Sequence, residues 1–166
     1  MEDEQLYSMA LTRIPGLGLT GIHKLVDALG SAAPIFRNRN ELCALVPGIS
    51  AKQVKALDCP EAFRRAEEEL LFAEKNRIRC LTLTDEDYPS RLRECDDAPL
   101  VLYYRGNADL NALKIINIVG TRHATAYGQD ICLRFLKELA EMLPEVLVVS
   151  GLAYGIDIHA HRAALT

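Results

Sequence analysis

The 166-residue chain has no tryptophan and no Cys-x-x-Cys pair. Its five cysteines, Cys43, Cys59, Cys80, Cys95 and Cys132, are odd in number and widely spaced. That pattern fits neither a disulfide framework nor a zinc site, and reads as reduced thiols, several of them core, in a cytoplasmic protein. No apolar run approaches the roughly 18–20 residues that crossing a membrane takes, so no membrane partner is expected. The acidic start MEDEQLYSMALTR lacks a basic stretch ahead of an apolar one, and a signal peptide is not expected. Basic excess is missing too. A net charge of −4 argues against a broad basic face for duplex DNA, although one arginine beside a helix N-terminus can still act locally. Neither G-x-G-x-x-G nor G-x-x-x-x-G-K-[ST] occurs, so dinucleotide and nucleoside-triphosphate binding have no motif behind them, and no cofactor is expected. No Ser-His-Asp or Cys-His set is evident, and a catalyst is not expected.

What is there is a normal globular composition, 49% hydrophobic and 25% charged, able to bury a core. Residues 1–76 read as a small helical domain. EQLYSMALTRI and TGIHKLVDALG carry apolar residues at helical spacing, with Thr20 as candidate N-cap and Gly30 as the stop. SAKQVKALD opens on Ser50, a good N-cap, and PEAFRRAEEELLFAEKN starts at Pro60 with high helix propensity throughout.

Residues 77–166 have a different character. IRCLTLT and PLVLYYRG read as strands flanking the turn-rich connector DEDYPSRLRECDDAP. From 115 the order is strand (IINIV), Gly-rich loop, helix (TAYGQDICLRFLKELAEML), strand (EVLVVS), Gly-rich loop, helix (GIDIHAHRAAL). Continuously apolar strands alternating with amphipathic helices indicate parallel strands covered on both faces. The expected fold class is α/β, a Rossmann-like, doubly wound, mainly parallel sheet behind a helix-hairpin-helix domain. Two βα units are fewer than such a sheet normally holds, so the chain is expected to be a truncated piece of a longer protein, its exposed sheet edge sticky unless covered.

Two kinds of loop bear on function. In RIPGLGLTGIHKL, Pro15-Gly16-Leu17-Gly18 is a helix-hairpin-helix turn whose glycines permit positive φ and can turn backbone N–H groups towards a phosphate. LVPGISAKQVKAL is a weaker second copy, with Ser50 where the first has Gly18. Gly16 and Gly18 are thus a candidate secondary DNA contact, and the alternative is a pair of purely interhelical turns.

The second kind ends the apolar strands. In IINIVGTRHATAYG, Gly120 lets the backbone turn sharply, Thr121 offers a hydroxyl, and Arg122 supplies a guanidinium for a two-point phosphate grip. Thr125 can cap the following helix, whose N-terminus adds partial positive charge. VLVVSGLAYGIDIHAH repeats the design, with Ser150 and Gly151 leaving the strand and Gly155 opening the helix. In a parallel sheet both loops leave from strand carboxyl ends, so they would face one crevice suited to an anion of repeating phosphates. Asp157 is placed to favour the helix dipole or to hydrogen-bond loop amides. His159 and His161, spaced i, i+2, point to different faces and do not form a metal pair. Tyr88, Tyr103, Tyr104 and Tyr127 are the aromatic candidates for base stacking, the alternative for Tyr103 and Tyr104, on a strand, being a place in the core.

The ordered set DEDYPSRL…APLVLYYRG, NIVGTRHATAYG and VVSGLAYGIDIHAHRAAL resembles the DNA-processing protein A family (DprA, also called Smf). The resemblance covers most of the chain. It implies a bacterial, cytosolic protein that binds incoming single-stranded DNA during natural transformation and loads the RecA recombinase on it. It further implies an extended Rossmann-like domain behind a sterile-alpha-motif-like helical domain, and a homodimer in the full-length protein. The family's Gly-Ser/Thr-Arg loop corresponds to Gly120, Thr121 and Arg122, and its Ser-Gly-Leu-Ala-x-Gly-Ile-Asp loop to Ser150 through Asp157. Two other readings stay open: a nucleotide- or nucleoside-monophosphate-processing enzyme on a similar fold, and a protein-interaction module that docks through the helical domain.

Overall fold

Pro15-Gly16 and Pro47-Gly48 turn the chain in the same way. In the computed structural model, which describes residues 2–165, Gly16 has φ 80° and Gly48 has φ 83°. The Leu17 amide donates to the Ile14 carbonyl and the Ile49 amide to the Val46 carbonyl, each at 3.3 Å. Proline followed by a positive-φ glycine under such a bond is a type II turn. The next side chains, Leu17 and Ile49, are buried in one shared core cluster.

These turns link the helices of the first of two compact units, Met1–Asn111 and Ala112–Thr166. The first unit holds α1 (Glu2–Thr12), α2 (Leu19–Leu29), α3 (Ala32–Arg37), α4 (Leu42–Leu45), α5 (Ala51–Ala56) and α6 (Pro60–Lys75). Then come β1 (Arg79–Thr82), the single turn α7 (Ser90–Arg93) and β2 (Val101–Tyr104). The N-cap of α2 is Gly18, not Thr20, because the turn delivers an extended residue (φ −71°) directly to the helix start. Ser50 occupies the same position in the second copy and completes a capping box with Gln53. Ser31, ahead of α3, makes no side-chain cap bond. Glu4 of α1 replaces it, its carboxylate accepting from the amides of Ala32 (2.6 Å) and Ala33 (3.0 Å).

Composition changes near residue 76, yet the compact unit continues to Asn111 because the two strands pack on the helices. Cys80 of β1 is buried with Met9, Ala10, Ala66 and Ala73. The small residues on α6 allow that close approach. The Gln5 side-chain amide donates to the Cys80 carbonyl at 2.7 Å, and His23 Nε2 lies 2.7 Å from the Ala98 carbonyl. β1 and β2 pair antiparallel, Arg79 opposite Tyr104 and Thr82 opposite Val101. Tyr88 is fully buried and donates its hydroxyl to the Pro99 carbonyl at 2.7 Å, bracing the connector between the strands. Tyr103, expected in the core, is 49% exposed although it shares a face with buried Cys80, its partner across the ladder, because the helices cover only part of so large a ring.

The second unit is β3 (Ile115–Asn117), α8 (Ala126–Met142), β4 (Leu147–Val149) and α9 (Ile156–Ala164). β3 and β4 are parallel, with Ile115, Ile116 and Asn117 opposite Leu147, Val148 and Val149. Cys132 and Leu136 of α8 bury against Ala160 of α9, with Ile118, Val148 and Ile156 around them. The expected cover on both faces is not made within this unit. Val149 stays 42% exposed, because two helices do not enclose a two-stranded sheet. The chain is a mixed α/β fold of Rossmann-like type, its parallel pair preceded by helices and an antiparallel pair.

Candidate functional site

The register of β3 and β4 makes their carboxyl ends level, so the two Gly-rich loops begin side by side. The Ile118 amide still donates to the Val149 carbonyl at 2.9 Å, extending the ladder to the root of both loops. There the Ser150 hydroxyl donates across to the Ile118 carbonyl at 2.7 Å. Ser150 is therefore a fastening between the strands as well as a small residue.

Beyond the strands the loops are zipped together. The Ile156 amide donates to the Thr121 carbonyl at 3.1 Å, and the Gly120 amide donates to Asp157 Oδ1 at 3.3 Å. Asp157 is only 6% exposed, and this bond carries the role expected for it on loop amides. Three glycines permit the contact. A Cβ at Gly120 would lie 2.6 Å from Ile156 Cβ, and one at Gly151 would lie 2.9 Å from Asp157 Oδ2. At Gly155, where φ is 87°, a Cβ would lie 2.0 Å from the Thr121 carbonyl oxygen and 2.7 Å from Arg122 Cα. No side chain fits there.

Thr121 uses its hydroxyl oxygen to accept from the His123 amide at 3.2 Å, which rounds the loop into a short side-chain turn. Thr125 is the N-cap of α8, accepting from the Gly128 amide at 3.2 Å. Its hydroxyl oxygen is thus engaged in capping the helix. Arg122 is exposed and pairs with no carboxylate among the described residues. With Leu152, Ala153, Tyr154 and Ile158 it lines a cavity of about 470 Å³. A larger cavity, about 710 Å³, lies in the first unit beside Glu74, Asp85, Glu86 and Asp87, whose charges repel an anion.

Gly120, Thr121, Arg122, Thr125, Ser150, Gly151 and Gly155 therefore come together around one pair of strand ends, whereas Gly16 and Gly18 belong to the other compact unit. Tyr127 is exposed at the start of α8. Among the described residues no group of three or more His, Cys, Asp or Glu is placed to hold a metal ion. His161 Nε2 is buried without a hydrogen-bond partner among those residues. The sequence places Leu152 and Tyr154 within the Ser150–Asp157 loop but gives neither a role of its own. The available signal was a lone aromatic between small residues in GLAYG, a place where a core side chain has no reason to be.

Residues 79–166, which include both loops, match the family model described as DNA recombination-mediator protein A. The chain belongs to that family. A Mycobacterium tuberculosis relative that carries the DprA name is 40% identical over 114 residues, 61% of this chain and 29% of that protein. The DNA processing protein DprA of Streptococcus pneumoniae is 34% identical over 105 residues, 63% of this chain and 36% of its own length. Protein Smf of a Synechocystis strain is 28% identical over 98% of this chain and 41% of its own. Among solved structures, the X-ray structure of the Streptococcus pneumoniae protein superposes with a TM-score of 0.60 at 26% identity, covering 96% of this chain and 53% of that one. The chain spans between 29% and 41% of the length of these three curated relatives. No helix among the described residues is long and apolar enough to cross a membrane.

Proposed function

We propose that the chain is the part of a DNA-processing protein that holds single-stranded DNA by its phosphates, without catalysis. The observation that carries this reading is the zipped pair of loops, which fixes Arg122 in the open, without a carboxylate partner, beside a cavity. A guanidinium held in that way can take a phosphate in two parallel hydrogen bonds. The N-terminus of α8, capped by Thr125, adds positive potential three residues along the chain from Arg122, and Gly120, Thr121, Ser150, Gly151 and Gly155 let the two loops pack against each other and hold the site together. A single strand suits the site better than a duplex, because a net charge of −4 offers no wide basic face.

The family's relatives are named for DNA processing, and the reading takes the same setting: cytoplasmic handling of incoming single strands in natural transformation, with RecA recombinase as the protein loaded and a homodimer as the working form. Gly16 and Gly18 supply a secondary backbone contact to DNA, a reading supported by the exposure of both glycines in the first Pro-Gly turn.

The test is a gel-shift titration of a single-stranded oligonucleotide. Arg122→Ala should cost about 1–3 kcal/mol of binding, the worth of a hydrogen bond to a charged group. Undiminished affinity would remove Arg122 from the site.

A further inference from the structure

Beside Arg122, the same cavity has an apolar and aromatic wall that a phosphate does not use. Tyr154 is 86% exposed and Leu152 66% exposed, although both lie in a loop pinned at each end. On one side the Ile158 amide donates to the Ala153 carbonyl at 3.1 Å. On the other, Gly155 sits directly against the Arg122 backbone, so Tyr154 is carried one residue from that contact. Leu152 is held at φ 55°, a conformation that costs a leucine on the order of 1 kcal/mol or more and persists only where the surroundings enforce it. The loop thus keeps a large ring and a branched apolar side chain in water, on a pinned backbone, lining one cavity with a guanidinium that pairs with no carboxylate among the described residues.

We infer that Tyr154, backed by Leu152, is a stacking platform for a nucleobase of the strand whose phosphate Arg122 holds. The inference rests on the single-strand reading above and adds the ligand's second half, its base. A flat ring stacks on any base, so the platform contributes affinity without sequence preference. The pinned backbone is an advantage, since the loop loses little further freedom when the base lands.

Two oligonucleotides of equal length separate the roles: a thymidine homo-oligonucleotide and its abasic counterpart, which keeps the phosphates and lacks the bases. Tyr154→Ala should weaken binding of the thymidine strand about tenfold, the scale of one base–aromatic stack, and leave the abasic strand unchanged. Tyr154→Phe, which keeps the ring and loses only the hydroxyl, should bind both as the natural chain does. Arg122→Ala should weaken both strands alike. If Tyr154→Ala weakens both strands equally, or neither, the platform is overturned and the phosphate grip stands. If the natural chain binds neither strand, the single-strand reading falls and the platform with it.

Discussion

The amide of Ile156 donates to the carbonyl oxygen of Thr121 at 3.1 Å, fastening the first residue of α9 to the loop that presents Arg122. Neither loop alone has this geometry. A glycine loop at a strand end is only a turn. Two of them, joined by that bond, by the Asp157 contact with Gly120, and by Gly155 lying on Arg122, become a rigid rim.

Gly155→Ala should therefore damage both stability and binding. The added Cβ would meet a backbone oxygen that cannot swing away, at a φ that side-chain-bearing residues rarely adopt. A loss of about 1–3 kcal/mol or more in denaturant unfolding is expected for backbone strain of this kind. A variant as stable as the natural chain would show that the two loops do not approach as described.

Asp157 separates two effects. Asp157→Ala leaves the Gly120 amide without its acceptor and should destabilise by about 0.5–1.5 kcal/mol, the net worth of one hydrogen bond at a partly buried site. Asp157→Asn keeps an oxygen in place and should cost less. Equal losses in the two variants, read from denaturant midpoints, would mean that the carboxylate's charge rather than this bond is what matters.

The Pro-Gly turns allow a contrast within three residues. Gly16→Ala meets no atom within 4 Å, so its cost is the positive φ alone, about 1 kcal/mol. Gly18→Ser places a side-chain cap at a residue already extended and should be neutral or stabilising by a few tenths of a kcal/mol. Thermal unfolding of the two variants checks this. A Gly18→Ser loss as large as that of Gly16→Ala would contradict the assigned roles.

On α6, Glu61 accepts hydrogen bonds from Arg64 and, less strongly, Arg65, which hold its pKa at about 2 against an ordinary 4.5. A depressed carboxylate contributes its stability fully above the ordinary value and loses it as pH falls through the folded one. The contribution should thus persist from neutral pH to about 4.5 and fade towards 2. The group is exposed and screened, so the effect on unfolding is small and salt-sensitive. An NMR titration of the Glu61 carboxyl should give a midpoint near 2, and Arg64→Ala should raise it. A midpoint near 4.5 in the natural chain would show that the pairing does not form in solution.

What the sequence made legible was what local chemistry decides. Ser50 and Thr125 cap helices because their hydroxyls reach amides three residues on. Gly30 ends α2 in the left-handed conformation, and proline followed by glycine forms its turn wherever it stands. The parallel pair followed from apolar strands alternating with helices. Contacts between distant residues were not legible. Glu4 caps a helix 28 residues away, and Cys80 packs under helices whose composition is nothing like its own strand. At the site, the glycines were recognisable but their partners were not. Nothing local in Gly155 announces that its missing side chain makes room for Thr121 and Arg122, and nothing in Tyr154 that its loop is pinned.

The salt dependence of single-strand binding tests the central claim most directly. If Arg122 holds a phosphate, removing it also removes a released counterion. The slope of log affinity against log salt should then become shallower by about 0.7 in Arg122→Ala, with affinity falling most at low salt. The same slope and the same affinity in both proteins would contradict the claim, and place the strand's phosphates elsewhere on the molecule.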